Sequence, residues 1–129
     1  MSPISDDVRP YLEGPNLAHL ATLMPDGSPH AVPVWVRIEG DRIAFLTGPD
    51  TRKARNVARD PRVALSITPH DRPNAMAQIR GRVVEVLEGD AAWTIIDRLA
   101  HEYIGQPYPR DEERAVYLIE PEHAFTFAP

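Results

Sequence analysis

Cationic side chains gather at the start of a short helix predicted near the middle of the chain. The run of residues 51–56 (TRKARN) follows a predicted strand, and Asp50 or Thr51 is placed to cap the helix. A helix start offers free backbone N–H groups and the positive end of the helix dipole. Arg52 can hold two phosphate oxygens, Lys53 adds a point charge and Thr51 adds a hydroxyl. The run therefore predicts a phosphate site at Thr51, Arg52, Lys53 and Arg55, with a solvated basic helix face as the alternative.

Other kinds of active site find no support in the residue types. The chain has no cysteine, which excludes thiolate nucleophiles, disulfides and cysteine-type zinc sites. Its histidines are scattered without the spacing of metal ligands, and its serines lack a Gly-x-Ser-x-Gly context. The acidic run 111–113 is typical of a solvated loop rather than of a glycosidase carboxylate pair. We predict no metal site and assign no catalytic side chain.

Length and charge restrict the class of protein. The 129 residues are predicted to form a single domain, residues 1–129. A net charge of −5 and a pI near 5.5 argue against general nucleic-acid binding. The first residues show no signal peptide, and no apolar run is long enough to span a membrane. We therefore predict a cytoplasmic protein that binds neither nucleic acid nor membrane.

The elements that would position the phosphate site are mostly short strands with short links. Strands are predicted at 17–23, 31–38, 42–47, 62–68, 76–87, 115–119 and 125–127, the last two separated by a turn at 121–123. Helices are predicted at 5–12, at 51–60 and at 89–105. Pro33 indicates an edge strand or a bulge, and Gly81 indicates a bulge or a close backbone approach. Short links favour antiparallel pairing, so the expected fold is mainly β (α+β), a small antiparallel barrel with packed helices.

Several segments together resemble a known family. These are residues 45–47, 51–57 and 60–65 around the basic helix, residues 20–22, 26–29 and 33–35 before it, and residues 78–83 after it. In combination and order they resemble the pyridoxamine 5′-phosphate oxidase-like superfamily of FMN-binding split β-barrels. Residues 103–109 (YIGQPYP) are similar to the actinobacterial branch of that superfamily, whose members are oxidoreductases using the deazaflavin coenzyme F420.

The resemblance implies a homodimer with a cofactor in each of two clefts between the subunits. It implies that Arg52 and Lys53 bind the cofactor phosphate, with Thr47 and Thr51 nearby. Gln78 would reach the cofactor from the partner subunit. The remaining implied contacts are the ring-edge residues Val32, Pro33, Val34 and Trp35, and the further phosphate-site matches Arg55 and Asn56.

On this resemblance, the predicted function is hydride transfer by an F420-dependent oxidoreductase. In such an enzyme the cofactor performs the chemistry, and the protein binds and orients it. An FMN-dependent oxidoreductase and a non-enzymatic module binding a flavin or haem are the alternatives. The resemblance implies an electron-poor small molecule as the acceptor, such as a quinone, an unsaturated lactone, a tetrapyrrole or a fatty-acid derivative. No C-terminal segment matches the pyridoxal phosphate site of the typical oxidase, so vitamin B6 oxidation is not expected.

Three side chains are candidates for contact with the acceptor or for proton donation. Tyr108 lies in a proline-rich loop and is predicted to touch the substrate. Tyr103 is a second substrate candidate, although it continues an apolar helix stripe with Trp93 and would equally serve packing. If solvent does not supply the proton, Tyr103, Tyr108 or His101 would.

Overall fold

The computed structural model describes residues 2–129. In that part of the chain it contains three helices and seven strands. Along the chain these are α1 (Arg9–Leu12), β1 (Ala18–Leu23), β2 (Pro29–Val34), β3 (Arg37–Glu39), β4 (Arg42–Thr47), α2 (Arg52–Arg59), β5 (Arg62–Ile67), β6 (Met76–Leu87), α3 (Gly89–Ile104) and β7 (Ala115–Phe127).

All seven strands form one antiparallel sheet in the order β2-β1-β5-β6-β7-β4-β3. The strands β2 and β3 are its opposite edges, yet only Trp35 and Val36 separate them in sequence. Two residues cannot span the width of a flat sheet of seven strands, so the sheet must curl until its edges approach each other. The expected antiparallel split barrel with packed helices is confirmed, and the barrel is not closed by hydrogen bonds.

The continuous strand predicted at 31–38 is wrong, because the chain leaves one sheet edge and enters the other. The Val36 N–H donates to the Tyr103 hydroxyl oxygen at 3.0 Å, so this peptide leaves the strand ladder. Pro33 lies in the edge strand β2, as predicted, where its missing N–H leaves no gap in the sheet. The helix predicted at 5–12 is also shorter, since residues 6–8 form turns and α1 begins only at Arg9.

The turn predicted at 121–123 is wrong, because β7 continues through Pro121. Gly81 of β6 lies opposite Pro121, while Arg80 lies opposite His123. Glu122 is therefore an extra residue, a bulge that interrupts the ladder and tolerates the proline. The close backbone approach predicted at Gly81 is confirmed, since a Cβ there would overlap the Glu120 carbonyl oxygen.

Two apolar clusters hold the fold together. The barrel interior is filled by side chains such as Leu20, Phe45 and Ile79, and the Phe45 ring stacks on Tyr117 with centroids 5.3 Å apart. A second cluster lies between the outer sheet surface and α3, which was predicted from its helical apolar stripe and ends at Gly105 with φ 71°. Within residues 2–129, no helix has the length and apolar character needed to cross a membrane.

Candidate anion-binding site

A cleft of about 660 Å³ opens where β4 ends, α2 begins and the loop of residues 106–114 crosses them. A smaller recess of about 210 Å³ adjoins it. We call the first space the polar lobe and the second the aromatic lobe; Leu46, Lys53 and Tyr108 line both. The polar lobe is further lined by Thr47, Gly48, Pro49, Asp50, Thr51, Glu112, Glu113 and Arg114, and the aromatic lobe by Pro33, Val34 and Trp35.

Thr51 begins α2 and borders the polar lobe. Its hydroxyl oxygen accepts from the Ala54 N–H at 3.4 Å, donates to the Gly48 carbonyl oxygen at 2.9 Å and lies 2.9 Å from the Thr47 hydroxyl. The predicted cap is thus confirmed, and the hydroxyl is committed to it. Within residues 2–129 the N–H groups of Arg52 and Lys53 have no acceptor, so both remain available to a ligand.

Lys53 is the only lysine of the chain, and its half-buried side chain lines both lobes. No carboxylate of residues 2–129 lies within 4.0 Å of its ammonium group. Burial, and secondly the charge of Arg114, lower the pKa of Lys53 below its ordinary value. A half-buried ammonium beside a second cation and without a counter-ion is an arrangement that a bound anion would stabilise.

Arg114 is the second cation of the polar lobe, and the sequence analysis missed it. Its guanidinium donates to the Glu113 carbonyl oxygen at 2.8 Å, to the Tyr108 hydroxyl at 3.3 Å and pairs with the Glu112 carboxylate at 3.1 Å. Arg114 directly precedes β7, whose first residue Ala115 pairs with the last residue of β4. This pairing alone brings Arg114 to the start of α2, and no local sequence pattern signals it.

Four aromatic rings form the wall beside the aromatic lobe. Trp35 stacks on Tyr103 with centroids 5.2 Å apart, and the Tyr108 ring meets Trp35 edge-on at 6.0 Å. Trp93 of the apolar stripe of α3 is partly buried in the same group, with its ring centroid 6.2 Å from that of Tyr108. Trp35 lines the aromatic lobe and Tyr108 lines both lobes, whereas Tyr103 packs behind Trp35 and lines neither.

The Tyr103 hydroxyl, for which we predicted contact with substrate or proton donation, is engaged in hydrogen bonds with the backbone. Its hydroxyl accepts from Val36 N–H at 3.0 Å and lies 2.8 Å from the Asn16 carbonyl oxygen and 3.1 Å from that of Val36. Burial raises its pKa to about 12, which makes the hydroxyl a weak acid. His101 is exposed and lines a different groove, beside Arg98.

Other predicted site residues lie outside the cleft. Arg52 is half-buried, Arg55 is exposed, and neither lines a lobe. Asn56 is fully buried and donates to the Thr22 hydroxyl at 3.0 Å, so it anchors α2 to β1 rather than offering a ligand contact. Val32 packs partly against the barrel interior, and Gln78 is exposed on the outer sheet surface opposite Phe125.

We expect Tyr103→Phe to destabilise the fold by about 1–3 kcal/mol, because the Val36 N–H and the Asn16 carbonyl lose a partner in a partly buried place. Urea unfolding measures this change. Tyr108→Phe is the matched control: it removes only a 3.3 Å contact to Arg114 and should cost less than about 0.5 kcal/mol. Equal stability of both variants would contradict the claim that the Tyr103 hydroxyl stabilises the fold through its hydrogen bonds with the backbone.

Comparison with known proteins identifies related folds. The family model for pyridoxamine 5′-phosphate oxidase matches residues 4–128. No curated protein sequence matches the chain. The solved structure of an F420 reductase superposes with a TM-score of 0.81 at 28% identity, covering 91% of this chain and 94% of that one.

Two further structures are similar in fold alone. A candidate pyridoxamine 5′-phosphate oxidase from Listeria innocua has a TM-score of 0.76 at 21% identity, covering 96% of this chain and 98% of its own. The conserved hypothetical protein Rv2991 from Mycobacterium tuberculosis has a TM-score of 0.72 at 22% identity, covering 96% of this chain and 84% of its own.

Proposed function

This chain belongs to the pyridoxamine 5′-phosphate oxidase family, and from that premise we propose that it is an oxidoreductase using coenzyme F420. The similarity to an F420 reductase at 28% identity over nearly the whole chain supports F420 as the cofactor. When bound, such a cofactor supplies hydride transfer to an electron-poor C=C or C=N bond of a small-molecule acceptor.

The single observation that carries the proposal is the half-buried ammonium of Lys53, which pairs with no carboxylate of residues 2–129 and lies at the junction of the two lobes. The carboxylates of Asp50, Glu112 and Glu113 also line the polar lobe, and Glu112 pairs with Arg114. The donors suited to a phosphate group are Lys53, Arg114 and the N–H groups at the start of α2, which have no acceptor within residues 2–129. The aromatic lobe offers Pro33, Val34 and Trp35 to a flat ring. The residues present therefore fit a cofactor with a ring and a phosphate.

The protein's own part is to bind, orient and shield. Lys53 and Arg114 would hold the phosphate by charge, while the backbone and rings of residues 33–35 would fix one edge of the ring system. Tyr108 borders both lobes and would limit the entry of water. With the Tyr103 hydroxyl committed to the backbone, solvent or Tyr108 would supply a proton where the acceptor needs one.

An FMN-dependent oxidoreductase is the second candidate. FMN also joins a flat ring to a phosphate, and the pyridoxamine 5′-phosphate oxidase family binds FMN. The proposal is tested by titrating protein purified from a host lacking F420 with F420 and with FMN, followed by turnover with a panel of acceptors. We expect F420 to bind more tightly. Tight FMN binding with weak F420 binding would favour the second candidate, and binding without turnover would favour a carrier. Binding of neither would refute both.

We also propose that the functional unit is a homodimer. Phe125 and Phe127 are 56% and 53% exposed on the outer surface of β7, and Gln78 lies directly opposite Phe125. A second subunit covering these rings would bury apolar surface and carry Gln78 toward the neighbouring cleft. Sedimentation should show a dimer at low micromolar concentration. A monomer that still binds the cofactor would contradict this arrangement.

A further inference from the structure

Arg110 makes an unusual set of contacts for an exposed side chain. Its guanidinium holds the Asp97 carboxylate in two parallel contacts, Nη1 to Oδ1 at 2.9 Å and Nη2 to Oδ2 at 2.7 Å. Nη1 also donates to the Tyr108 carbonyl oxygen at 3.0 Å, and the guanidinium lies over the Trp93 ring, 4.0 Å from its centroid. Two of these partners, Asp97 and Trp93, belong to α3, so Arg110 fastens the loop of residues 106–114 to that helix.

The position of the loop determines the position of Tyr108. Arg110 binds the Tyr108 carbonyl, and the Tyr108 ring stands between Trp35 and Trp93 and borders both lobes. The Tyr108 hydroxyl meets Arg114 on the polar side. Besides the contacts of Arg110, the Tyr108 backbone N–H also acts on the Asp97 carboxylate and helps to lower the pKa of that group, so Asp97 holds the loop in two ways.

We infer that Arg110 is a positioning residue: by clamping the loop to Asp97 and Trp93 it holds the Tyr108 ring as a wall for the flat ring of the bound cofactor. The inference rests on the proposed function. Arg110 itself lines neither lobe, so it acts through Tyr108 and not by touching the ligand. Lysine cannot replace it fully, because an ammonium lacks the planar fork and stacks poorly on an indole.

The clamp can be tested without any ligand. The chain has two tryptophans, Trp35 and Trp93, and both lie beside Tyr108. The tryptophan bands in the near-UV circular dichroism of the unliganded protein therefore report on this group of rings. We expect Arg110→Ala and Asp97→Asn each to reduce the tryptophan bands by about half and to leave the melting temperature nearly unchanged, since exposed ion pairs contribute little to stability.

The matched control is Arg98→Ala. Arg98 is also an exposed arginine of α3 paired with a carboxylate, Glu39 at 3.7 Å, and within residues 2–129 it forms no hydrogen bond or ion pair with the loop. This variant should leave the tryptophan bands unchanged. Unchanged bands in Arg110→Ala and Asp97→Asn, or an equal loss in the control, would overturn the clamp.

The effect on the cofactor is measured as the dissociation constant of F420 and of FMN. We expect Arg110→Ala and Tyr108→Ala each to weaken binding about tenfold, and Arg110→Lys to weaken it less. In the Tyr108→Ala background, Arg110→Ala should have no further effect, because its action passes through that ring. Unchanged affinity in Arg110→Ala, or additive losses in the double variant, would overturn the positioning role. If neither cofactor binds the unaltered protein, the proposed function fails. The tryptophan bands then still test whether Arg110 fixes the loop to α3.

Discussion

Replacing Lys53 by methionine is expected to weaken the binding of F420, or of FMN if that is the cofactor, by about ten- to a hundredfold. Loss of a charge-assisted contact costs about 1.5–3 kcal/mol, and each 1.4 kcal/mol corresponds to about a factor of ten in affinity. Methionine keeps most of the apolar stem, so the packing at the junction of the lobes changes little. Calorimetric titration of both proteins measures the difference.

The stability of Lys53→Met provides a second readout. The folded state lowers the pKa of Lys53, which means that it disfavours the charged ammonium relative to the unfolded chain. The variant should therefore unfold at the same temperature or slightly above it in the absence of ligand. Arg55→Met is the matched control, since Arg55 is an exposed cation of the same helix outside the cleft, and its affinity should change less than about twofold. Equal losses in both variants would contradict a specific site at Lys53.

Gly81→Ala is expected to destabilise the fold by about 3 kcal/mol or more, the largest effect on stability that we predict for a single methyl group. The new Cβ would overlap the Glu120 carbonyl oxygen, which belongs to the backbone of β7 and cannot move away like a side chain. The β6–β7 pair lies in the middle of the sheet, so a local shift would separate strands on both sides of it. Urea unfolding measures the loss.

Gly48→Ala is the matched control for that substitution. A Cβ at Gly48 would meet the flexible Arg114 guanidinium at 3.4 Å, an ordinary contact distance, and the backbone there does not require a glycine. Its stability should fall by less than about 1 kcal/mol. If the two alanine variants unfold at the same urea concentration, this would contradict the claim that the close backbone approach at Gly81 makes alanine strongly destabilising there.

Local patterns in the sequence were sufficient for most of the elements. Apolar runs between turn residues predicted β1, β4, β5 and β6, while the cap at Thr51 and the apolar stripe of α3 predicted the two longer helices. Short links between strands predicted antiparallel pairing, which the sheet confirms. These features are set by residues that are neighbours in the chain, and they can therefore be predicted from a single sequence.

Contacts between distant residues explain what the sequence could not predict. At the break between β2 and β3 the Val36 N–H binds the hydroxyl of Tyr103, 67 positions away, and within β7 Pro121 lies opposite Gly81 of another strand. The same holds for the site. Lys53 was predicted from its place at a helix start, whereas Arg114 reaches the cleft only through the pairing of β7 with β4. Asn56 matched the family pattern, but its side chain is buried and donates a hydrogen bond to the Thr22 hydroxyl, which makes its role structural.

The central claim is that Lys53 holds the anionic group of the cofactor, and the most direct measurement is the NMR titration of its side chain with pH. Because Lys53 is the only lysine, its side-chain resonances are unambiguous. We predict a pKa below the ordinary lysine value of about 10.4 in the free protein. F420 or FMN should raise that pKa, because a bound anion favours the charged ammonium, and affinity should correspondingly fall as the pH rises through the pKa of the free protein. A lysine pKa at its ordinary value that neither cofactor shifts would contradict the claim.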